Sequence, residues 1–161
     1  MGYQSLYELF PAIAERETRN IIIGEQTEYA LPPATYTFIE QFCNDRGCDC
    51  RRVFFYVKSS LREGPEAVIA YGWESEDYYI EWMGDDDPLS IEQLKGPMLN
   101  LASPRTELAN ELVTFFIDVL LNDKEYIERV KRHYRLFRGK IDGKPTLKIP
   151  SKKRKKKKRK A

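Results

Sequence analysis

Thr35-Tyr36-Thr37-Phe38-Ile39-Glu40-Gln41-Phe42-Cys43 is followed, after eight intervening residues, by Arg52-Val53-Phe54-Phe55-Tyr56-Val57-Lys58. The first segment alternates, with Tyr36, Phe38, Glu40 and Phe42 toward one side and Thr37, Ile39, Gln41 and Cys43 toward the other. A period of two is the signature of a strand. The second segment is dense in β-branched and aromatic residues, which suit a pleated, half-buried surface. Joined through a short polar connection containing Gly47, the two predict an antiparallel hairpin.

Working outward, residues 67–73 and 77–82 read as two more strands, separated by joints rich in Gly, Ser, Pro and Glu. Residues 18–23 are β-branched and extended in character. Upstream, residues 5–17 predict a short helix with Leu6, Leu9, Phe10, Ile13 and Ala14 at helical spacing. Ser5 and Glu8 form its capping-box pair, and Pro11 should kink or divide it. After Asp85-Asp86-Asp87-Pro88 the period changes to 3.6. Residues 90–95 predict a helical turn, and residues 106–122 predict the clearest helix of the chain. Its stripe is Leu108, Ala109, Leu112, Val113, Phe116, Ile117, Leu120 and Leu121. Asp123 can cap a last helix to about Arg138, with Tyr126, Ile127, Val130, Tyr134 and Phe137 inward. The expected fold class is α+β: a four- or five-stranded, mainly antiparallel sheet, a short N-terminal helix, and two C-terminal helices packed on one face. Residues 1–143 form the expected single domain, and residues 144–161 a tail that is disordered when free.

The 161 residues suffice for one domain with a sizeable core, and 42% hydrophobic with 32% charged is ordinary for a globular protein. The net charge of +2 conceals an asymmetry. Nine of the 27 Lys and Arg fall in residues 152–160, which hold no acid, so residues 1–150 carry 18 basic groups against 25 acidic ones. No apolar run approaches the roughly 20 residues of a membrane span. Residues 1–6 show neither a secretory h-region nor a myristoylation pattern. Three cysteines, an odd number, with no signal peptide argue against a disulfide scaffold and for a reducing, cytoplasmic compartment.

All three cysteines lie within Cys43-Asn44-Asp45-Arg46-Gly47-Cys48-Asp49-Cys50, at the tip of the expected hairpin. Such crowding predicts a metal site, with structural zinc as the cofactor, and Gly47 permits the positive φ a tight metal-binding turn needs. Zinc favours four ligands, so a fourth donor is required. His133, the single histidine, is the first candidate. Asp45, Asp49 or a second subunit are the others. A hydrogen-bonded core histidine is the competing reading of His133, and buried free thiols that of the cysteines. A thiol enzyme or redox protein is the alternative from another class, since Arg46, Arg51 and Arg52 flank the sulfurs and would favour thiolate.

Tyr7-Glu8-Leu9-Phe10-Pro11, Gly47-Cys48-Asp49-Cys50-Arg51-Arg52-Val53-Phe54-Phe55, Ala70-Tyr71-Gly72-Trp73-Glu74-Ser75, Leu94-Lys95-Gly96-Pro97 and Arg132-His133-Tyr134-Arg135 carry a resemblance. Over residues 5–138 the chain resembles an uncharacterised family of short bacterial proteins. Some members of that family append a SecA-type zinc motif at the C-terminus. The resemblance implies a bacterial cytoplasmic protein and brings no established activity. This chain ends in a lysine-rich segment instead of the appended motif.

That segment, Lys152, Lys153, Arg154, Lys155, Lys156, Lys157, Lys158, Arg159 and Lys160, can neutralise several phosphates and release their counterions. With no aromatic interleaved it has no stacking platform, so RNA, the ribosome or another polyanion is the expected partner class, bound without sequence readout. Contact with the acidic body is the competing reading. Trp73, Tyr78, Tyr79 and Trp82 among Glu74, Glu76, Asp77 and Glu81 suggest a third possibility, a protein-interaction surface. Asp85–Asp87 lacks EF-hand spacing, and no P-loop, Rossmann fingerprint or serine elbow is present. The expectation is a non-enzymatic, metal-supported binding or adaptor protein.

Overall fold

The hairpin expected from residues 35–58 is the spine of the sheet. The computed structural model describes residues 2–143, so the tail and its cationic residues 152–160 lie outside the described residues. The elements are β1 (Tyr3–Ser5), α1 (Leu6–Leu9), α2 (Pro11–Glu17), β2 (Arg19–Ile23), β3 (Ala34–Cys43), β4 (Arg52–Ser59), β5 (Pro65–Gly72), α3 (Glu76–Met83) and α4 (Pro88–Lys95). They continue with β6 (Met98–Leu99), α5 (Ala109–Phe115), a π-helical turn (Phe116–Leu120) and α6 (Lys124–Asp142). Six antiparallel strands run in the order β1-β3-β4-β5-β6, with β2 also paired to β3. β1 and β2 share one side of β3: β2 pairs with residues 34–38 and β1 with residues 41–43. β3 and β4 pair with Phe38 opposite Val57 and Glu40 opposite Phe55.

The alternation of β3 puts Tyr36, Phe38, Glu40 and Phe42 on the buried face. Val53, Phe55 and Val57 of β4 share it, and the helical C-terminal half covers it. Phe116 lies 5.0 Å from Phe55 and 6.4 Å from Phe38, ring to ring, and Phe137 lies 5.4 Å from Phe42. Each such side chain contributes about 1.5–3 kcal/mol by leaving water. On the opposite sheet face, Gln93 and Leu94 of α4 line a cleft with Phe54 and Ala70. No helix among the described residues is long and apolar enough to cross a membrane.

Pro11 divides the first helical segment as expected, ending α1 and opening α2 at its N1 position, and the Ser5 hydroxyl accepts from the Glu8 amide at 3.2 Å. Two expectations are corrected. Residues 77–82, read as a final strand, are α3. Local capping overrides their aromatic, strand-like composition: the Ser75 hydroxyl accepts from the Tyr78 amide, Glu76 and Asp77 face the positive end of the helix dipole, and Gly84 closes it in the left-handed region. Residues 106–122 are not one α-helix. A Leu121 amide to Phe116 carbonyl bond widens the last turn, so Phe115 and Phe116 are both buried and Ile117 is exposed.

Candidate metal centre

Cys43 ends β3, and residues 44–51 turn the chain back into β4. Gly47 adopts a φ of 75°, as the turn requires, while the Cys48 amide closes onto the Asp45 carbonyl at 3.3 Å. This loop brings Cys43, Cys48 and Cys50 Sγ within 4.8 Å of one another, a group that could hold a metal ion. Cys43 and Cys50 are buried and Cys48 is partly exposed. The Asp45 amide donates to Cys43 Sγ at 3.4 Å. The Cys50 and Arg52 amides act in the same sense on Cys48 and Cys50 respectively. Cys43 Sγ has a backbone N–H from the residue two positions on, and an N–H aimed at sulfur favours the thiolate.

Burial works the other way. It pushes all three thiols above their ordinary value, more than the amides lower them. Uncomplexed, they are ordinary protonated thiols at neutral pH. A bound cation reverses that balance, because its charge is the largest in the site and metallation expels the protons. The flanking arginines do not supply the missing charge. Arg46 reaches the Ile141 carbonyl and Arg51 pairs with Asp49 and Glu74. Arg52 donates to the Leu94 carbonyl and the Tyr3 hydroxyl, and its lowering effect on Cys50 is outweighed by burial.

The loop is held from α6 by residues one turn apart on one face. The Tyr134 hydroxyl accepts from the Arg51 amide at 3.0 Å and donates to Asp49 Oδ1 at 3.2 Å. Arg138, 8% exposed, donates to the Cys43 and Asp45 carbonyls at 2.6 Å each. Its other partner, Asp142 Oδ1 at 2.9 Å, also accepts from the Gly47 amide at 2.8 Å. On the far side, the Tyr78 hydroxyl donates to the Asp49 carbonyl and that of Tyr79 to the Arg51 carbonyl. Arg51, a non-glycine residue at φ 52°, is thus fixed through both its amide and its carbonyl. Tyr79 reaches it by passing over Gly72, where an added Cβ would lie 2.3 Å from the tyrosine oxygen.

His133 does not join the cysteines. Its ring is fully buried, with Nδ1 2.7 Å from Glu40 Oε1 and Nε2 2.7 Å from Glu17 Oε1, so both nitrogens are engaged by carboxylates. The helix face that meets the loop is that of Tyr134, Arg138 and Asp142, and His133 lies off it, against β3. Burial lowers the ring's proton affinity, but the hydrogen bonds and charges of Glu40 and then Glu17 more than reverse this, leaving it raised. Among the described residues, neither Asp45 nor Asp49 joins the sulfur group. Burial pushes the Asp49 carboxyl up, and Arg51 with the Tyr134 and Tyr78 hydroxyls brings it below its ordinary value. Of the aromatics in residues 73–82, Tyr79 is buried, Trp73 packs 5.1 Å from Tyr134, and Tyr78 carries Arg51 over its ring at 4.7 Å; only Trp82 is exposed.

Sequence reasoning missed the α6 stripe that supports the loop. Its signal was present: Tyr134, Arg138 and Asp142 stand at i, i+4 and i+8, and one turn of helix separates each pair.

No family model matches the chain, and no curated protein or solved structure matches it either.

Proposed function

We propose that this chain is a non-enzymatic metal-thiolate protein: zinc held by Cys43, Cys48 and Cys50 fixes the β3–β4 loop, and the segment Lys152–Lys160 engages RNA or another polyanion. The observation that carries the first half is the approach of three sulfurs to within 4.8 Å of one another, with a backbone amide directed at Cys43 Sγ. Thiolates are soft ligands that suit zinc, at roughly 2.3 Å from the ion. Burial leaves the uncomplexed thiols poor nucleophiles, which weighs against a thiol enzyme. The second half rests on charge: nine cationic side chains and no acid in residues 152–160.

Native mass spectrometry of the chain, expressed in zinc-replete medium and purified without chelator, is expected to report one zinc per chain and the loss of thiol protons. A metal-free mass with three intact thiols would remove the metal reading. For the segment, truncation after Pro150 is expected to abolish binding to a generic single-stranded RNA at about 0.1 M salt, where the intact chain binds in a steeply salt-dependent way. Unchanged affinity after truncation would exclude it as the polyanion contact.

A further inference from the structure

We propose that the three-sulfur centre keeps one coordination position open to solution, completed by water and available to a small neutral nitrogen donor of the imidazole type. This rests on the metal reading above and concerns the fourth position alone. Zinc with thiolate ligands is almost always four-coordinate when structural, whereas three protein ligands are the number found in sites that retain a water or substrate. Among the described residues no other cysteine, histidine or carboxylate joins the group. The remaining residues, Met1 and 144–161, contain no Cys, His, Asp or Glu.

The nearby alternatives are engaged elsewhere. His133 is held between Glu40 and Glu17 at 2.7 Å on each side. Asp49 receives two bonds from Arg51, at 3.0 and 2.7 Å, and one from Tyr134. The Tyr3 hydroxyl contacts Cys50 and accepts from Arg52 at 3.0 Å, so it is engaged as a hydrogen-bonding group. A second copy of the chain cannot donate an imidazole nitrogen, because its single histidine is buried against β3.

Access and charge define the donor. Cys43 and Cys50 are buried and Cys48 is partly exposed, so the open position lies toward the Cys48 rim. Three thiolates on a divalent ion already leave one net negative charge. A fourth anionic ligand would add to it where burial penalises charge, whereas a neutral nitrogen replaces neutral water without changing it. The exchange is a ligand substitution: nitrogen binds, water leaves, and no electron or proton moves.

The test uses the reduced full-length chain loaded with Co(II), whose visible spectrum reports coordination, with imidazole as the probe. Sulfur-to-cobalt charge-transfer bands and tetrahedral d–d bands are expected on loading. Imidazole is then expected to shift the d–d bands along a saturable one-to-one curve while the charge-transfer bands persist. Cobalt bands that imidazole leaves unmoved would establish a closed site, overturning the open position while the metal reading stands. Loss of the charge-transfer bands as imidazole extracts the metal would overturn it as well. No cobalt bands at all would remove both readings.

Discussion

Replacing His133 by leucine lowers the stability of the folded chain by about 3–5 kcal/mol, because it strands the Glu40 carboxylate in the core. Glu40 is 1% exposed and His133 fully buried. Glu40 Oε1 has the ring as its partner, and Oε2 has no hydrogen-bond partner among the described residues. Losing the ring leaves a buried acid that must stay unpaired or take up a proton. In a chain of this size the loss corresponds to a fall in Tm on the order of 10 °C. The paired substitution Glu40→Leu with His133→Leu is expected to recover most of it, since well-packed apolar residues replace a buried ion pair at little or no cost. Denaturant titrations of the two single variants and the double variant check this. A double variant whose loss equals the sum of the singles would show that the pair is not coupled.

The same group sets a pH dependence. The His133 value is raised above its ordinary 6.5, so its contribution is complete below that pH and is lost as pH rises through the folded value. Glu17 is lowered below 4.5, chiefly by its hydrogen bond to His133, so its contribution is present above that pH and is lost as pH falls through the folded value. Arg132 reinforces Glu17, while Arg129 and the fully buried Tyr126 border Glu40. Burial raises the Glu40 carboxyl, so the His133→Leu single variant still loses stability as pH rises, whereas the Glu40→Leu/His133→Leu double variant is expected to lose the decline on the alkaline side of 6.5 that the parent shows in thermal melts.

This buried group was half legible in the sequence. Glu40 is the one charged residue on the strand face of Tyr36, Phe38 and Phe42, and His133 lies on the inward face of the last helix. Two titratable residues on facing apolar stripes have every reason to find each other, since either alone carries a desolvation cost. What periodicity could not supply is that Glu17, at the end of α2, approaches the other ring nitrogen, for that depends on how α2 sits against α6. The hairpin and the three sulfurs at its tip were readable because strand alternation and a short loop are local facts. The helix at residues 76–83 was misread because three aromatics and an isoleucine resemble a strand until Ser75 and Gly84 are weighed as caps. The bend of the Ile117 stripe out of the core follows from the i to i+5 bonding of the π-helical turn, which no hydrophobic pattern announces.

Arg138→Met tests whether the α6 stripe prepares the metal site or merely packs beside it. Methionine fills most of the arginine's volume but donates nothing. The variant therefore removes the bonds to the Cys43 and Asp45 carbonyls and to Asp142, while the apolar stem is replaced. Those two carbonyls belong to the first half of the loop, and Asp142 in turn holds the Gly47 amide, so one guanidinium fixes the path between Cys43 and Cys48 directly and through its partner. Outer groups that orient metal ligands commonly contribute 10–100-fold in affinity. Arg138→Met is expected to weaken zinc binding by a factor in that range, measured by competition with a chromophoric chelator, with the stoichiometry still one per chain. A carbonyl left buried without its charged donor costs about 1–3 kcal/mol, so the metal-free variant should also melt earlier than the metal-free parent. The two readouts separate the roles. A lower melting temperature with unchanged zinc affinity would make Arg138 a packing residue, whereas a fall in both ties the geometry of the three sulfurs to the end of α6.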